Sequence, residues 1–538
     1  MRLAAGLDFG TESARLVLVD VETGAEAATV VHPYPHGVLT RALPDGTPLA
    51  GDWALQHPGD YLAALEHLLR EAARIAAGRA IVGIGLDCTA STVLPVKRDG
   101  TPLCLLPEYA GQPHAWVKLW KHHAAQRQAD HINAMHPPFL DLYGGRTSSE
   151  WLHAKSLQML EEAPAIFSAA DRIIEAGDWL VWQLTGHEAR SVCQAGFKAH
   201  WQSEIGYPPA AFLAGLHPDF PSLLGRLRPP QPVGTRAGGL TAAWADRTGL
   251  REGVPVAVAV IDAHAAFPGL GVDGPGTLVM VMGTSTCHLL LSRARVPVQG
   301  ISGVVADSVL PGFYCYEAGQ AATGDALEWW VRTLAWAGDG PAEALFDRLN
   351  REAADLSPGA GGLVAVDWWN GSRTPLVNAD LSAVMAGLTV GTTPAEMYRS
   401  IVEATACGTR QVIELFEAGR GIEPVTGLRV CGGLSRSTVV MQIYADVTGR
   451  TLHAAATPHA SARGAAVYGA LAAGSADGGY DVPEEALVRM AAAGFTAYRP
   501  DPAAHARYAD VYALYREMHR HFGEGGTDLL RRLKALHP

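Results

Sequence analysis

Two short polar turns of similar composition constrain the fold of this chain more than any other feature. The first, residues 10–13 (GTES), separates two apolar stretches within residues 4–20. The second, residues 283–286 (GTST), separates the apolar stretches 277–282 and 288–291. Strand, small polar turn and strand therefore occur once in each half of the chain, a pattern that predicts an internal duplication.

The chemistry of the two turns suits phosphate oxygens. Glycine allows a tight turn, and successive backbone N–H groups and hydroxyls can then point outward together. Asp8 directly precedes the first turn, and Asp262 follows a buried strand over residues 256–261 at the start of a helix, whose positive end favours an ionised carboxylate. The alternative is two ordinary hairpins and a helix-capping aspartate. A Walker A loop is excluded because no lysine follows a glycine.

Composition limits the class of protein. A chain of 538 residues is too long for one core, so two to four domains are expected. The net charge of −12 argues against nucleic acid or an anionic membrane as partner, and no apolar run approaches the ~20 residues of a membrane-spanning helix. Seven cysteines without a C-x-x-C motif, and an N-terminus that does not resemble a signal peptide, predict reduced thiols and a cytoplasmic location.

Apolar periodicity predicts an α/β chain in which helices and strands alternate. A strand is expected over residues 80–87, followed by the small polar turn 88–92. A region rich in Pro, Gly and Arg places a domain boundary near residue 253. Helices are expected over residues 59–77, 148–162, 165–184, 394–418, 438–448 and 460–472, and the segment 483–538 is expected to be helical and to pack across the domains.

Two charged residues in apolar surroundings have two interpretations each. Lys198 lies between Phe197 and His200, where a lysine either extends its ammonium to solvent or lines a pocket. Glu317, among aromatic and small residues, is either a satisfied core acid or a pocket ligand. The glycine pair 432–433 at a strand end would let a flat ligand approach the backbone.

With these segments assembled, the chain resembles the FGGY family of carbohydrate kinases, and within that family the ribulokinases. The resemblance covers nearly the whole length. The family implies two ribonuclease-H-like (actin-like ATPase) domains with an interdomain cleft, plus C-terminal helices, with bounds at residues 1–252, 253–485 and 486–538. It rests on the segments GLDFGTESAR, LDCTAST, VKLWKHHAAQ, GRTSSEW, AGFKAHW, VIDAHAA, MGTSTCH, EAGQAATGDALEWW and GGLSRS, in that order.

The resemblance also assigns roles to individual residues. It implies Asp262 as the general base and Asp8 as a magnesium ligand acting through water. The sugar-binding residues that it implies are Ala90 (through its backbone), Trp116, Lys198, Asp262 and Glu317. The ATP-binding residues that it implies are Gly10, Thr11, Ser13, Gly283, Thr284, Ser285, Gly432 and Gly433. One departure concerns adenine, because Ser435, Arg436 and Ser437 stand where ribulokinases often carry other residues.

The function implied is ATP-dependent phosphorylation of L-ribulose to L-ribulose 5-phosphate in L-arabinose catabolism, with Mg²⁺ accompanying ATP. The predicted partners are the sugar and ATP, with neither nucleic acid nor membrane, and a homodimer is a candidate assembly. One alternative is a kinase of the same family for another ketopentose or pentitol, such as D-ribulose. Another is an actin-like ATPase without a sugar substrate, which would not need Lys198 and Glu317 in a pocket.

Overall fold

The computed structural model describes residues 2–338 and 340–536. Within that range the strands are β1 (Arg2–Phe9), β2 (Ser13–Asp20), β3 (Glu26–Pro33), β4 (Leu55–Gln56), β5 (Ala80–Cys88), β6 (Val93–Val96), β7 (Val117–Lys118), β8 (Arg172–Glu175), β9 (Arg236–Gly239), β10 (Pro255–Ala257), β11 (Val260–Ile261), β12 (Thr277–Met282), β13 (Thr286–Ser292), β14 (Gly303–Ala306), β15 (Tyr314–Gln320), β16 (Val364–Ala365), β17 (Met385–Ala386), β18 (Gly427–Cys431), β19 (Thr451–Ala455) and β20 (Phe495–Tyr498).

The α-helices of the same residues connect and cover these strands. They are α1 (Pro58–Ala76), α2 (Gln126–Ala134), α3 (Leu152–Glu162), α4 (Pro164–Ala169), α5 (Ala176–Thr185), α6 (Val192–Lys198), α7 (Ala210–Leu216), α8 (Ala242–Thr248), α9 (Asp262–Gly269), α10 (Gly324–Trp336), α11 (Ala342–Ala354), α12 (Pro394–Glu417), α13 (Thr438–Thr448), α14 (Ala460–Ala473), α15 (Pro483–Met490), α16 (Pro502–Gly523) and α17 (Leu529–Ala535).

The two large sheets repeat one topology. The first has the order β3-β2-β1-β5-β10-β9, with β11 also pairing with β5. Its strands β1, β2 and β3 are antiparallel neighbours, whereas β5 is parallel to β1 and to both β10 and β11. The second sheet has the order β14-β15-β13-β12-β18-β19-β20. There β12 and β13 are antiparallel, and β12, β18 and β19 are parallel. The same succession of strand directions in both sheets fits the predicted duplication.

The second sheet begins only at β12. Strands β10 and β11, although they follow residue 252, complete the first sheet through their pairing with β5. Helix α14 comes from the second half of the chain and nevertheless packs on β1 and β5. The division at residues 1–252, 253–485 and 486–538 stays a prediction.

Two of the predicted helical segments contain strands. The segment 165–184, predicted as one helix, divides into α4, β8 and α5, because Ile173 and Ile174 pair with β6. The C-terminal segment is mainly helical, but β20 interrupts it and pairs with β19 at the edge of the second sheet. Both corrections have the same cause: an apolar run too short to fix its own period takes its conformation from a distant partner strand.

Glycines allow α14 to lie directly on the first sheet. A Cβ atom added to Gly85 would lie 1.7 Å from the carbonyl oxygen of Ala465, and one added to Gly6 would lie 1.7 Å from that of Ala462. Along β5, Gly83 faces Gly469 and Gly85 faces Ala465, so α14 runs antiparallel to the strand. The N-terminus of α14 therefore lies at the level of the carboxyl ends of β1 and β5.

The cysteines and the question of a membrane-spanning helix, both considered from the sequence, can be compared with the structure. All seven cysteines are unpaired. Among residues 2–338 and 340–536, no helix combines the length and the apolar character needed to cross a bilayer.

Candidate active site

The first polar turn is tight and lies at the carboxyl end of β1. The Gly10 N–H donates to the Ser13 carbonyl over 3.0 Å, which closes the turn. The Thr11 hydroxyl accepts a hydrogen bond from the Trp120 indole N–H at 3.1 Å. The Asp8 carboxylate, just before the turn, accepts from the Arg15 guanidinium at 2.8 Å. The turn therefore presents backbone N–H groups and hydroxyls beside a carboxylate whose charge Arg15 partly neutralises.

The second polar turn is stabilised by the start of α10. The Gly283 N–H donates to the Ser285 carbonyl at 2.9 Å, while the Thr284 carbonyl accepts from the N–H groups of Thr323 (2.9 Å) and Asp325 (3.1 Å). The glycine pair lies next to this turn, because a Cβ on Gly432 would come within 2.3 Å of the Met282 carbonyl oxygen. Gly283, Thr284, Ser285 and Gly432 thus lie close together, with Gly433 exposed beside them. Their role in binding ATP stays a prediction.

A groove of about 570 Å³ extends along α10 from this turn. Its lining was not predicted from the sequence and consists of Asp325, Glu328, Trp329, Arg332, Thr333 and Trp336. Two of these side chains are largely exposed indoles, Trp329 at 48% and Trp336 at 90%. The groove offers aromatic and polar surface directly next to the second turn.

Three carboxyl groups meet at the carboxyl ends of adjacent parallel strands. Asp8 on β1 lies opposite Asp87 on β5, and Val260 of β11 lies opposite Asp87 on the other side. Asp262 follows two residues later as the first residue of α9. Asp87 is fully buried, and neither of its oxygens receives a hydrogen bond within the described residues. Its burial, and then the charges of Asp8 and Asp262, raise the pKa of Asp87 well above its usual range.

The charge state of Asp262 differs from the expectation. Burial, followed by the negative charge of Asp8, raises the pKa of Asp262 to about 7. The Ala263 N–H, which donates to the Asp262 carboxylate at 2.7 Å, opposes that shift but does not cancel it. The helix start was expected to favour the ionised carboxylate, but burial outweighs that effect, so the group is only partly ionised at neutral pH. A carboxyl with a pKa near 7 can accept a proton efficiently at neutral pH.

Lys198 and Glu317 form an ion pair between the two halves of the chain. Lys198 ends α6, Glu317 lies in β15, and the ammonium donates to both carboxylate oxygens at 2.9 and 2.8 Å. Both residues are buried, at 4% and 9% exposure. Burial alone would raise the pKa of Glu317, but Lys198 and then His264 hold it below its usual value. Because the Lys198 ammonium and the Glu317 carboxylate bind each other, both can exchange that contact for hydrogen bonds to a polyhydroxylated ligand.

The turn that contains Ala90 and the side chain of Trp116 occupy different surroundings. Ala90 is half-buried, and its carbonyl accepts from the Thr92 hydroxyl at 3.2 Å. The Trp116 indole packs edge-on against His57 and donates to the Ala110 carbonyl at 2.9 Å. Their roles in sugar binding stay predictions.

Comparisons with known proteins give the family. A model of the C-terminal domain of the FGGY family of carbohydrate kinases matches residues 278–473. A ribulokinase of Bacillus licheniformis is 46% identical over 97% of each chain, and one of Shouchella clausii is 44% identical over 99% of this chain and 98% of its own. The chain belongs to the FGGY family of carbohydrate kinases. This confirms the resemblance to that family and to its ribulokinases.

The FGGY fold is confirmed independently by a solved structure. The xylulose kinase from Rhodospirillum rubrum superposes with a TM-score of 0.80, at 24% identity, over 96% of this chain and 98% of its own. At that identity the likeness concerns the fold alone. The two ribonuclease-H-like domains expected from the sequence are thus confirmed, and membership in a kinase family implies ATP as the phosphoryl donor.

Three buried residues of this FGGY chain were not predicted from the sequence as candidate functional residues. Asp87 was visible as a carboxylate at the end of an otherwise apolar strand, parallel to the strand that carries Asp8. Glu175 lay inside a segment wrongly predicted as helix. Lys155 carried a weak signal, since it is one of only six lysines in the chain, against thirty-six arginines.

Proposed function

We propose that this chain transfers the γ-phosphoryl group of ATP to the terminal hydroxyl of L-ribulose, giving L-ribulose 5-phosphate in L-arabinose catabolism. The observation that carries the proposal is the buried pair of Lys198 and Glu317, whose charges act on Asp262. An actin-like ATPase that uses water has no need for this pair. The relatives named ribulokinase, matched over nearly their whole length, support the choice of ketose.

Both polar turns take part in the proposed binding of ATP. We propose that Gly10, Thr11 and Ser13 bind phosphate oxygens from one side of the cleft. In this proposal Gly283, Thr284 and Ser285 bind them from the other, with Gly432 and Gly433 flanking adenine. Backbone N–H groups in tight turns supply fixed positive dipoles for such oxygens. The positive N-terminal end of α14, at the level of Asp8, adds to the same field.

On the sugar side, the backbone of Ala90 and the side chains of Trp116, Lys198 and Glu317 are proposed to bind and orient L-ribulose. Asp262 then accepts the proton of the sugar's terminal hydroxyl, while the oxygen of that hydroxyl forms a bond to the γ-phosphorus. The bond from the γ-phosphorus to the bridging oxygen breaks, and ADP carries away that electron pair. Because the transition state is loose, positioning and charge neutralisation supply most of the rate.

The residues fit a magnesium ion that accompanies ATP. Carboxylate oxygens are the ligands that Mg²⁺ prefers, and Asp87 has two oxygens without hydrogen bonds next to Asp8. Asp8 would hold the ion through water. When bound, Mg²⁺ neutralises negative charge on the phosphates. A cytoplasmic location and a homodimer belong to the same proposal.

A panel of sugars tests this function. The purified protein is assayed for ADP release with MgATP and with L-ribulose, D-ribulose, L-xylulose, D-xylulose, ribitol and L-arabinitol. We expect L-ribulose to give the highest kcat/KM and a 5-phosphate as product. A preference for another ketose or pentitol would contradict the substrate, and ADP release independent of every sugar would contradict the kinase activity.

A further inference from the structure

Lys155 has a saturated set of backbone partners deep in the first half of the chain. It lies in α3 and is fully buried. Its ammonium donates to the carbonyls of Ser91 at 2.6 Å, Leu119 at 2.7 Å and Lys118 at 3.3 Å. An ammonium has three N–H donors, so these three bonds use all of them.

Glu175 binds the same peptide group as Lys155, but through its N–H rather than through its carbonyl. It lies in β8, is 3% exposed, and accepts a hydrogen bond from the Thr92 N–H at 2.8 Å. Lys155 thus binds the carbonyl of Ser91 while Glu175 binds the amide of the next residue. Ser91 has φ = +54°, a left-handed conformation that a residue other than glycine adopts at a cost. Two oppositely charged side chains therefore fix a strained peptide.

The turn 89–92 adjoins residues that the proposed function assigns to both ligands. Its first residue, Thr89, donates its N–H to the Phe9 carbonyl at 3.0 Å, directly before the first polar turn. It also contains Ala90, whose backbone is proposed to bind the sugar. The other carbonyls bound by Lys155 belong to the segment that leads to Trp120, which bonds to the Thr11 hydroxyl. The Lys155 ammonium thus connects the turn that contains Ala90 with the segment that supports Thr11 in the first polar turn.

We propose that Lys155 and Glu175 are positioning residues that hold the turn 89–92 in the backbone conformation that receives the sugar. This inference rests on the proposed function, since it needs Ala90 to contact the substrate. Neither side chain is proposed to touch the sugar itself. Both act through the Ser91–Thr92 peptide.

The burial of the two charges supports a paired role. Burial lowers the pKa of Lys155, while the charge of Glu175 opposes that shift. Burial likewise raises the pKa of Glu175, against the opposing charge of Lys155. Each group therefore stabilises the ionised form of the other, and removing one leaves an uncompensated buried charge. Such a pair is costly, which favours a role beyond packing.

The test compares Lys155→Met with Lys118→Met in the full-length protein. Lys118 is as completely buried, lies in the same region, and donates to the His114 carbonyl at 3.1 Å rather than to the turn. We expect Lys155→Met to raise the KM for L-ribulose about 10- to 100-fold, with the KM for ATP changed less than about twofold. Lys118→Met should leave both KM values within about twofold of the wild type.

A second pair of variants keeps the test decisive if Lys155→Met does not fold. Glu175→Gln retains an oxygen that can accept the Thr92 N–H, whereas Glu175→Ala does not. We expect the KM for the sugar to rise at least about fivefold more in Glu175→Ala than in Glu175→Gln. Calorimetric binding of ADP, unchanged in all variants, verifies that the nucleotide side is intact.

The outcomes separate this inference from the proposed function. Equal sugar KM values in Lys155→Met and Lys118→Met, or in the two Glu175 variants, would overturn the positioning role. If the wild type prefers another sugar, the proposed substrate fails, and the same four variants are compared with the accepted sugar. A selective rise in that sugar's KM would still support the positioning of the turn.

Discussion

The two polar turns occupy corresponding places in the two sheets, but different parts of the molecule hold them. In the first turn, side chains from elsewhere in the first half bind Thr11: Trp120 donates to its hydroxyl and Gln56 donates to its carbonyl at 2.7 Å. In the second turn, the backbone N–H groups at the start of α10 bind the carbonyls of Gly283 and Thr284. Side chains thus support the first turn, together with one main-chain bond from the Tyr34 N–H to the Glu12 carbonyl at 2.9 Å. Main chain supports the second turn, together with one bond from the Thr286 hydroxyl to the Thr323 hydroxyl at 2.9 Å.

The charges near the two turns differ as well. Asp8 stands two residues before Gly10, whereas Val281 stands two residues before Gly283. Asp87 and Asp262 complete the carboxyl cluster at the first sheet. Both halves therefore present a tight backbone turn, whereas Asp8, Asp87 and Asp262 gather at the first sheet. Under the proposed function, both halves would bind phosphate, while acid–base and metal chemistry would depend on the first sheet. Substitutions at either sheet test one side of that asymmetry.

The largest effect is expected at Asp262. Asp262→Asn keeps the size of the side chain but cannot accept the hydroxyl proton, so kcat should fall by about 10²- to 10⁴-fold while sugar affinity is nearly kept. Steady-state kinetics with isothermal calorimetry of sugar binding measures both. Asp273→Asn, at an exposed position, is the control. Turnover near the wild-type value in a folded Asp262→Asn protein would remove this residue from the mechanism.

The ion pair of Lys198 and Glu317, which joins the two halves of the chain, should affect the KM for the sugar. Lys198→Ala and Glu317→Ala each leave buried polar groups without a partner, so the KM for L-ribulose should rise about 10- to 100-fold with the KM for ATP little changed. The matched control is Glu204→Ala, because Glu204 pairs with Arg295 at 2.8 Å between the same halves but at the surface. A change mainly in the KM for ATP would contradict this assignment.

Asp8 and Val281 test the difference between the turns directly. Asp8→Ala removes the proposed partner of the metal-bound water and should weaken the apparent Mg²⁺ affinity about 10- to 100-fold, as loss of such partners typically does. Sugar affinity should stay the same. Val281→Ala, at the corresponding position of the second turn, should leave the Mg²⁺ dependence unchanged. Equal effects of the two substitutions would show that the carboxylate has no special role.

The raised pKa of Asp262 predicts a pH dependence. Only the ionised group can accept a proton, and its pKa of about 7 in the free protein means that protonation removes the base as the pH falls through 7. Below that value kcat/KM for the sugar should fall about tenfold per pH unit. Asp262→Asn should lack this acidic limb. A flat wild-type profile between about pH 5 and 8 would argue against the assignment.

The smallest effect is expected at Trp120. Trp120→Phe removes one hydrogen bond to Thr11 of the first turn and should raise the KM for ATP about 2- to 10-fold. Trp330→Phe, which removes an indole bond to the Pro394 carbonyl in the second half, is the control and should change nothing. An unchanged KM for ATP in Trp120→Phe would mean that the first turn keeps its shape without side-chain support.

Local signals explain why much of the fold could be predicted. Helix α12 was expected to begin at residue 394, and it does, because Thr393 and Glu396 form a capping box around Pro394. The turn 283–286 was likewise expected between the two strands that flank it. Such elements carry their own start and stop residues within a few positions.

The missed parts of the site depend on distant partners. Nothing near Lys155 in the sequence indicates that its ammonium meets carbonyls 36 to 64 positions away. Glu175 could not be recognised while its segment was predicted as helix, since its strand exists only through pairing with β6. The raised pKa of Asp262 arises from burial against Asp8, which a helix-start argument omits.

The glycine contacts under α14 have a mechanical consequence. Gly6 and Gly85 precede Asp8 and Asp87 by two positions and therefore face the same side of the first sheet. Where two backbones touch without intervening side chains, nothing can compress or change rotamer. Such a joint resists sliding, so α14 and the first sheet are expected to move as one rigid body. The carboxyl cluster, which lies at the level of the N-terminus of α14, would then keep its internal distances when other parts of the chain move.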